Sequence, residues 1–163
     1  MTAEAAAQPA APAGPAVGAV APDFDLPDQH GSRHRLGELR GKRVLLVFYP
    51  FAFTGTCTGE MAALSANVDR MRTETTEVFA ISCDTVPSLR IFDDRYDIGI
   101  PLLSDFWPHG AVASAFGAFD PVMGAAVRAS YVVDADGRIA WTVRSGLREA
   151  RDIEASIAAL HGA

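Results

Sequence analysis

The chain is poor in cysteine, in lysine and in long apolar runs, and each shortage excludes a class of protein. Its 163 residues include only two cysteines, too few for a disulfide framework. Lys42 is the single lysine beside thirteen scattered arginines, and the net charge is -6, so neither a nucleic-acid surface nor a polybasic membrane patch is expected. The longest apolar stretch, VLLVFYPFAF, is far shorter than the roughly 18 residues that a membrane span needs.

The N-terminal segment differs in composition from the rest of the chain. Residues 1–17 are almost entirely Ala, Pro and Gly, which cannot form a core, so they are predicted to be a flexible tail. They carry no Lys or Arg ahead of an apolar stretch, which argues against a signal peptide. Residues 18–163 are expected to form one domain, and a soluble cytoplasmic protein is expected, since unpaired cysteines suit a reducing compartment.

Apolar patterns predict strands and helices that alternate along the chain. Val44 to Tyr49 form a continuous apolar run typical of a buried central strand, which Pro50 ends. The segments that follow are an amphipathic helix (CTGEMAALSANVDRMRTE), a strand (EVFAISC), a helix (VPSLRIFDDRYDI), a strand (IPLLSD), a short helix (AVASAFGAF), a hairpin (RASYVVDADGRIAWTVR) and a last helix (REARDIEASIAALHG). A further short hairpin is predicted around DQHGS. This order favours an α/β fold, a central sheet covered by helices on both faces.

Cys57 follows the predicted central strand, a proline and a short Thr/Gly loop, in the stretch PFAFTGTCTGE. It would lie just past the carboxyl end of the strand and in the first turn of the next helix, where open α/β sheets bind ligands. A helix N-terminus offers unpaired N–H groups and the positive end of the helix dipole. Because both stabilise a thiolate, the pattern predicts a nucleophilic thiol rather than a buried, inert cysteine.

The residues around Cys57 favour some thiol chemistries over others. There is no C-x-x-C dithiol of the thioredoxin type, and there are no closely spaced Cys and His ligands for zinc. His30 and His34 are four residues apart but flank a predicted turn, so they are interpreted as solvated loop residues. A lone thiol is suited to attack on a single electrophile, such as a peroxide oxygen.

The chain resembles the peroxiredoxins in these residues and in the segments around them. The stretch PFAFTGTC, read as Pro50-x-x-x-Thr54-x-x-Cys57, resembles their active-site signature, and APDF, VLLVFYP and PLLSD resemble the same family in order and spacing. PFAFTGTCTGE together with LLSDFWPHGAVASAFGAFD is similar to the alkyl hydroperoxide reductase E group of one-cysteine-like peroxiredoxins. The resemblance leaves out only the N-terminal tail, and it implies a thioredoxin-like fold with a central mixed sheet flanked by α-helices.

The resemblance also implies a role for each matching residue. Cys57 would be the peroxidatic cysteine that becomes a sulfenic acid, the Thr54 hydroxyl would bind the substrate oxygen, and Pro50 would shield the thiolate from water. Arg128, in AAVRASYVVD, matches the arginine that stabilises the thiolate and orients the peroxide. Glu60 would hold that arginine in place, although the residues alone fit an ordinary acidic side chain in the first helical turn equally well.

Cys83 leaves the recycling step open. It ends the strand EVFAISC, which would place it at the same edge of the sheet as Cys57, but its position matches no resolving cysteine of the peroxiredoxins. The leading hypothesis is reduction of Cys57 by an external thiol, of the mycothiol/mycoredoxin type that the resemblance implies. The alternatives are a Cys57–Cys83 disulfide reduced by a thioredoxin-like protein, or a peroxide-sensing thiol that does not turn over.

The resemblance further implies the substrates and the assembly. The substrates would be hydrogen peroxide, organic hydroperoxides or peroxynitrite, and the reaction would need no metal, haem or flavin. A homodimer is expected.

Overall fold

Five strands form a mixed sheet at the centre of the computed structural model, which describes residues 14–146 and 148–162. The strands are β1 (Asp25–Pro27), β2 (Arg33–Arg35), β3 (Arg43–Phe48), β4 (Thr76–Ser82), β5 (Leu102–Ser104), β6 (Phe119–Asp120), β7 (Ala125–Ala126), β8 (Ala129–Val133) and β9 (Ile139–Arg144). The central sheet has the order β5-β4-β3-β8-β9, and β1-β2 and β6-β7 pair separately. Strands β3, β4 and β5 run parallel, whereas β8 is antiparallel to both β3 and β9.

The predicted helices are present, with corrections to their bounds. The short helix predicted for AVASAFGAF ends at Ala115, and Phe119 lies in β6. The helices are α1 (Gly55–Ala66), α2 (Val68–Met71), α3 (Val86–Tyr96), α4 (Ala111–Ala115) and α5 (Ile153–Leu160), and a 3-10 turn spans Leu36–Leu39. The single helix predicted after Cys57 is broken at Asn67, whose side chain donates to the Ala63 carbonyl at 2.8 Å. The last helix begins at Ile153 rather than near Arg148, and the Asp152 carboxylate caps it.

The sheet separates two apolar cores, which explains the continuous apolar run of β3. Leu45 and Val47 face the core that contains Cys57 and residues of α1, α3 and α5. Leu46 and Phe48 face the second core, which is covered by α4 and the N-terminal hairpin. Alternate side chains of a strand point to opposite faces, so a strand buried on both faces needs apolar residues throughout. The predicted α/β architecture, a central sheet covered on both faces, is confirmed.

The predicted N-terminal hairpin is confirmed as β1-β2, and its turn closes the edge of the sheet at β5. Gln29 is buried in this turn, and its amide donates to the Ile100 carbonyl at 3.0 Å and accepts from the Leu102 amide at 2.9 Å. A side-chain amide thus pairs with the backbone where a sixth strand would otherwise bind. Two backbone groups at this edge, the Ile100 carbonyl and the Leu102 amide, are thereby hydrogen-bonded within the chain.

The interpretation of His34 as a solvated loop residue is wrong. His34 lies on β2, is half-buried, and packs edge-on against the Phe79 ring with 5.1 Å between centroids. Its Nε2 is 2.7 Å from Asp28 Oδ2, while Asp28 Oδ1 accepts from the amides of His30 and Ser32. Burial opposes ionisation of Asp28, but these hydrogen bonds outweigh it and lower the pKa of the carboxyl below its ordinary value of 3.8.

Substituting Asp28→Asn is expected to remove an acid-sensitive contribution to stability. Because the pKa is lower in the folded protein, the contribution is complete above the unfolded pKa and is lost as the pH falls through the folded pKa. Wild type should exceed the variant by about 1–2 kcal/mol in free energy of unfolding at neutral pH, and by progressively less below about pH 4. Urea unfolding at several pH values measures this difference, with the exposed Glu38→Gln as control. A difference that does not change with pH would contradict the account.

The predicted tail, residues 1–17, falls mainly outside the described residues, and the described part begins at Gly14 beside Phe116. No helix within the described residues is long and apolar enough to cross a membrane.

Candidate active site

Cys57 is the third residue of α1, directly after the loop that follows β3. Its side chain is completely buried and belongs to the core between the sheet and the helices. Pro50 ends the strand pairing and is itself buried at the start of the loop. The predicted placement of the thiol, past the carboxyl end of a central strand and in the first turn of a helix, is confirmed.

The loop between Pro50 and α1 is held in a tight turn. Phe53 has a positive φ of 68°, unusual for a bulky residue, and the Thr54 hydroxyl donates to the Phe51 carbonyl at 3.0 Å. The Asp84 carboxylate accepts from the Ala52 amide at 2.9 Å, which ties the loop to the end of β4. The turn places Thr54 at the N-cap of α1 and fixes the direction in which the helix starts.

Arg128 bridges the thiol and a carboxylate. It lies between β7 and β8, is 3% exposed, and its Nη2 donates to Cys57 Sγ at 3.0 Å. Its Nη1 donates to Glu60 Oε2 in a short, buried ion pair. One rigid guanidinium therefore contacts both the sulfur and the carboxylate, and Glu60 is linked to the thiol through Arg128.

Arg151 is a second buried arginine of the site, which sequence reasoning missed. Glu60 Oε1 accepts from the Arg151 amide at 3.0 Å and lies 3.3 Å from its Nε. The Arg151 guanidinium also donates to Ser130 Oγ at 2.9 Å and to the carbonyls of Ala129 and Phe48, so it joins β3 and β8. Burial lowers the pKa of Arg151 to about 10, although Glu60 opposes this effect, and the side chain stays charged at neutral pH.

The buried cluster around the thiol is rich in positive charge. Two guanidinium groups, Arg128 and Arg151, contribute two positive charges, and Glu60 contributes one negative charge. The positive charge of Arg128 lies next to the Cys57 sulfur, where it can interact with negative charge that develops during a reaction.

A pocket of about 230 Å³ opens beside the thiol. It is lined by the residues Pro50, Phe51, Thr54, Gly55, Thr56, Met123, Arg128 and Arg148. Cys57 lies immediately behind this lining, next in sequence to Thr56 and in contact with Arg128. Three of the residues singled out from the sequence, Pro50, Thr54 and Arg128, therefore surround a space of the size of a small substrate.

Cys83 lies on the other side of the sheet from Cys57. Val78 and Ala80 of β4 face the core of Cys57, whereas Phe79 and Ile81 face the second core, and the alternation places Cys83 with the latter pair. The Ala126 amide, which belongs to that second core, hydrogen-bonds the Cys83 sulfur. Burial, reinforced by Asp105, raises the pKa of the Cys83 thiol to about 12. The two cysteines share an edge of the sheet, as expected, but not a face, and both are free thiols.

Comparison with known proteins identifies the family to which this site belongs. The model of the AhpC/TSA family matches residues 17–142. The chain is a peroxiredoxin of this family. It is 43% identical over 137 residues to alkyl hydroperoxide reductase E of Mycobacterium tuberculosis, which covers 83% of this chain and 90% of the relative. It is 36% identical over 128 residues to peroxiredoxin Bcp of Escherichia coli, covering 75% of this chain and 81% of the relative.

Solved structures of peroxiredoxins share the fold. Peroxidoxin BcpB from Mycobacterium tuberculosis superposes with a TM-score of 0.78 at 28% identity, covering 90% of this chain and 97% of that one. Enterococcus faecalis AhpC superposes with a TM-score of 0.81 at 25% identity, covering 90% and 91%. The predicted thioredoxin-like fold and the resemblance to the peroxiredoxins are confirmed, and the chain is a thiol peroxidase.

The structure brings some of the predicted site residues together and separates another. Cys57, Arg128 and Glu60 are in direct contact, whereas Cys83 is apart from them. Arg151 is one of thirteen arginines and falls inside a predicted helix, so no pattern singles it out. Only the structure shows that it lies directly before the N-cap of α5.

Proposed function

We propose that this peroxiredoxin is a one-cysteine thiol peroxidase in which Cys57 reduces hydroperoxides and an external thiol regenerates it. The Cys57 thiolate would attack the terminal peroxide oxygen, so that an S–O bond forms as the O–O bond breaks. The sulfur loses two electrons and becomes a sulfenic acid, and the leaving oxygen takes a proton and departs as water or an alcohol. The observation that carries the proposal is the buried contact of 3.0 Å between Arg128 and the Cys57 sulfur at the wall of the pocket.

The residues of the pocket support distinct roles in this step. The Arg128 guanidinium would remain charged throughout, stabilising the thiolate and then the negative charge that develops on the peroxide oxygens. The Thr54 hydroxyl already donates its proton to the Phe51 carbonyl, which leaves its lone pairs to accept the proton of a hydroperoxide. Pro50 has no N–H and is buried beside the loop, so it would keep water from the sulfur.

Regeneration by an external thiol is favoured by the position of Cys83. A disulfide needs a Cα separation of about 4.4–6.8 Å with the side chains directed at each other. The two thiols face opposite sides of the sheet, and Cys83, with a pKa of about 12, is almost entirely protonated at neutral pH. A thiol from solution would instead attack the Cys57 sulfenic acid and release water, and a second thiol would then release Cys57 from the mixed disulfide. A mycothiol/mycoredoxin-like or thioredoxin-like system would supply these thiols.

A homodimer and a cytoplasmic location complete the proposal. Several large apolar side chains are exposed, namely Phe51, which lines the pocket, and Phe53, Phe106, Trp107 and Val122, and Trp107 is 80% exposed. Exposed large apolar side chains are enriched at protein interfaces, and a second copy of the chain is the proposed partner. The cytoplasm is proposed because it is reducing and would keep both thiols free.

Steady-state peroxide consumption tests the function. With excess dithiothreitol, wild type and Cys83→Ser are expected to consume many equivalents of hydroperoxide per chain, whereas Cys57→Ser should consume none above background. The Cys57→Ser exchange removes the nucleophile but changes a single atom, so folding should be preserved. One equivalent consumed by wild type without turnover, under several thiol reductants, would favour a sensing thiol instead. Turnover retained by Cys57→Ser would contradict the proposal.

A further inference from the structure

The loop that precedes α1 has a conformation that its own residues do not favour. Phe53 lies in the left-handed region, with a φ of 68°, where a bulky side chain is disfavoured. Such a conformation persists only when contacts with the surrounding structure hold it. Because the same loop leads to Thr54, which lines the pocket and is the N-cap of α1, those contacts determine where this hydroxyl and the first helical turn lie.

Contacts with α3 and with the end of β4 hold the loop from outside. The Phe53 ring packs against Phe92 of α3 with 5.0 Å between centroids, but this contact is apolar and Phe53 is 41% exposed. The contact with the end of β4 is directional, since the Asp84 carboxylate accepts from the Ala52 amide at 2.9 Å. Ala52 is buried in the core that contains Cys57, so the carboxylate satisfies an N–H group that is shielded from water.

The Asp84 carboxylate is itself fixed by the neighbouring strands. The Ser82 hydroxyl, completely buried at the end of β4, donates to Asp84 Oδ2 at 2.7 Å and accepts from the Asp84 amide at 3.3 Å. The Ser104 hydroxyl of β5 donates to the Asp84 carbonyl at 2.6 Å. The sheet therefore holds both the backbone and the side chain of Asp84, and Oδ2, which also accepts from Ala52, is a fixed point for the loop.

We propose that Asp84 is a positioning residue of the peroxidase site, which holds the loop so that Thr54 and Cys57 face the same hydroperoxide. The inference rests on the proposed function. Asp84 acts through the Ala52 amide, which lies two residues before Thr54 and five before Cys57. In the proposed reaction the Thr54 hydroxyl binds the hydroperoxide that the thiolate attacks, so a small displacement of either group lowers the rate.

The test separates the hydrogen bonds of Asp84 from its charge. Asp84→Ala removes both, whereas Asp84→Asn removes the charge but keeps an oxygen that can accept from Ala52 and Ser82 in the place of Oδ2. The rate of Cys57 oxidation by hydrogen peroxide is measured by stopped flow. It is expected to fall about tenfold in Asp84→Ala and to stay within about twofold of wild type in Asp84→Asn. If Asp84→Ala does not fold, Asp84→Glu replaces it, since glutamate keeps the charge but displaces the carboxylate by one methylene.

A second reaction of the same thiol distinguishes positioning from a loss of thiol reactivity. Iodoacetamide is larger than hydrogen peroxide and Cys57 is completely buried, so alkylation requires a wider opening of the loop. Alkylation of Cys57, followed by peptide mass mapping, is expected to be about fivefold faster in Asp84→Ala than in wild type. The two rates of this variant should thus change in opposite directions.

Asp23→Ala is the matched control. The Asp23 carboxylate also accepts from a loop amide, that of Gly37, at 2.8 Å. Asp23 lies in a separate pocket with Val44, at the start of β3, whereas the active-site loop follows the end of that strand. Both the oxidation rate and the alkylation rate of Cys57 are expected to keep their wild-type values in this variant.

Several results would overturn the inference. A wild-type rate of oxidation in Asp84→Ala would mean that the carboxylate has no part in the reaction. Asp84→Asn as slow as Asp84→Ala would assign the effect to the charge. Slower reaction of Asp84→Ala with both reagents would assign it to the thiol itself, and an equal loss in Asp23→Ala would make it unspecific. If hydrogen peroxide fails to oxidise Cys57 even in wild type, the proposed function fails and the inference with it, which the wild-type measurement alone distinguishes.

Discussion

Replacing Arg128 with methionine is expected to slow the oxidation of Cys57 by hydroperoxide about a hundred- to a thousandfold. The substitution keeps most of the length and volume of the side chain but removes the donor that lies 3.0 Å from the sulfur. It therefore removes the main cation beside the thiolate and, in the proposed step, the donor to the peroxide oxygens. Glu60 keeps its partner, because its second oxygen still accepts from the Arg151 amide.

Two further variants make the Arg128 result specific. Arg128→Lys should recover only part of the rate, since an ammonium cannot hold the sulfur and the Glu60 carboxylate in one rigid plane. Arg72→Met, at an exposed arginine paired with Glu77, should leave the rate unchanged. The rate of Cys57 oxidation by hydroperoxide is measured by stopped flow for the three variants. An Arg128→Met enzyme whose rate is within a few fold of the wild-type rate would contradict the role assigned to the guanidinium.

Substituting Glu60→Gln is expected to lower the free energy of unfolding by about 3–5 kcal/mol. The carboxylate is 2% exposed and is the only negative partner, within the described residues, that both buried guanidinium groups contact. Its removal takes away the negative charge that both buried guanidinium groups contact, and a neutral amide, with one acceptor oxygen instead of two, can replace only one of the two contacts. The variant should also react slowly with peroxide, because Arg128 is no longer held.

An exposed ion pair provides the control for Glu60. Glu154 accepts from Arg70 at 2.8 Å, but its side chain is 70% exposed, so Glu154→Gln should leave the free energy of unfolding nearly unchanged. Urea unfolding measures the free energy of unfolding of Glu60→Gln and of Glu154→Gln. The two variants are matched, since each replaces one glutamate that is paired with arginine. Equal effects at the two positions would mean that burial of the Arg128–Glu60–Arg151 cluster contributes nothing to stability.

Local patterns are enough to predict the sheet and the position of the thiol. The apolar run of β3 indicates a strand buried on both faces, because it is only six residues long, is rich in Val and Phe, and is ended by a proline. The position of Cys57, just past the carboxyl end of β3, can be predicted from the same strand and from Pro50, which ends it. The face of Cys83 also follows from a local pattern, since alternation along β4 groups it with Phe79 and Ile81, away from the core of Cys57.

The long-range partners of the thiol cannot be predicted from local patterns. Arg128 is 71 residues from Cys57 in sequence and is assigned only through the family resemblance. Arg151 falls inside a predicted helix, yet the helix starts two residues later, at Ile153, since the Arg151 backbone and side chain both bind groups on other elements. Such contacts depend on how strands and helices assemble, which periodicity within one segment does not record.

The central claim, that Cys57 is a peroxidatic cysteine without a resolving partner in its own chain, is tested most directly by intact mass spectrometry. Reduced wild type, Cys57→Ser and Cys83→Ser would each receive one equivalent of hydroperoxide in the presence of a sulfenic-acid trap. The account predicts one trapped adduct on Cys57 in wild type and in Cys83→Ser, and none in Cys57→Ser. Loss of two hydrogens in wild type, replaced by an adduct in Cys83→Ser, would contradict it by making Cys83 the resolving thiol, and an unmodified Cys57 would contradict the peroxidase site itself.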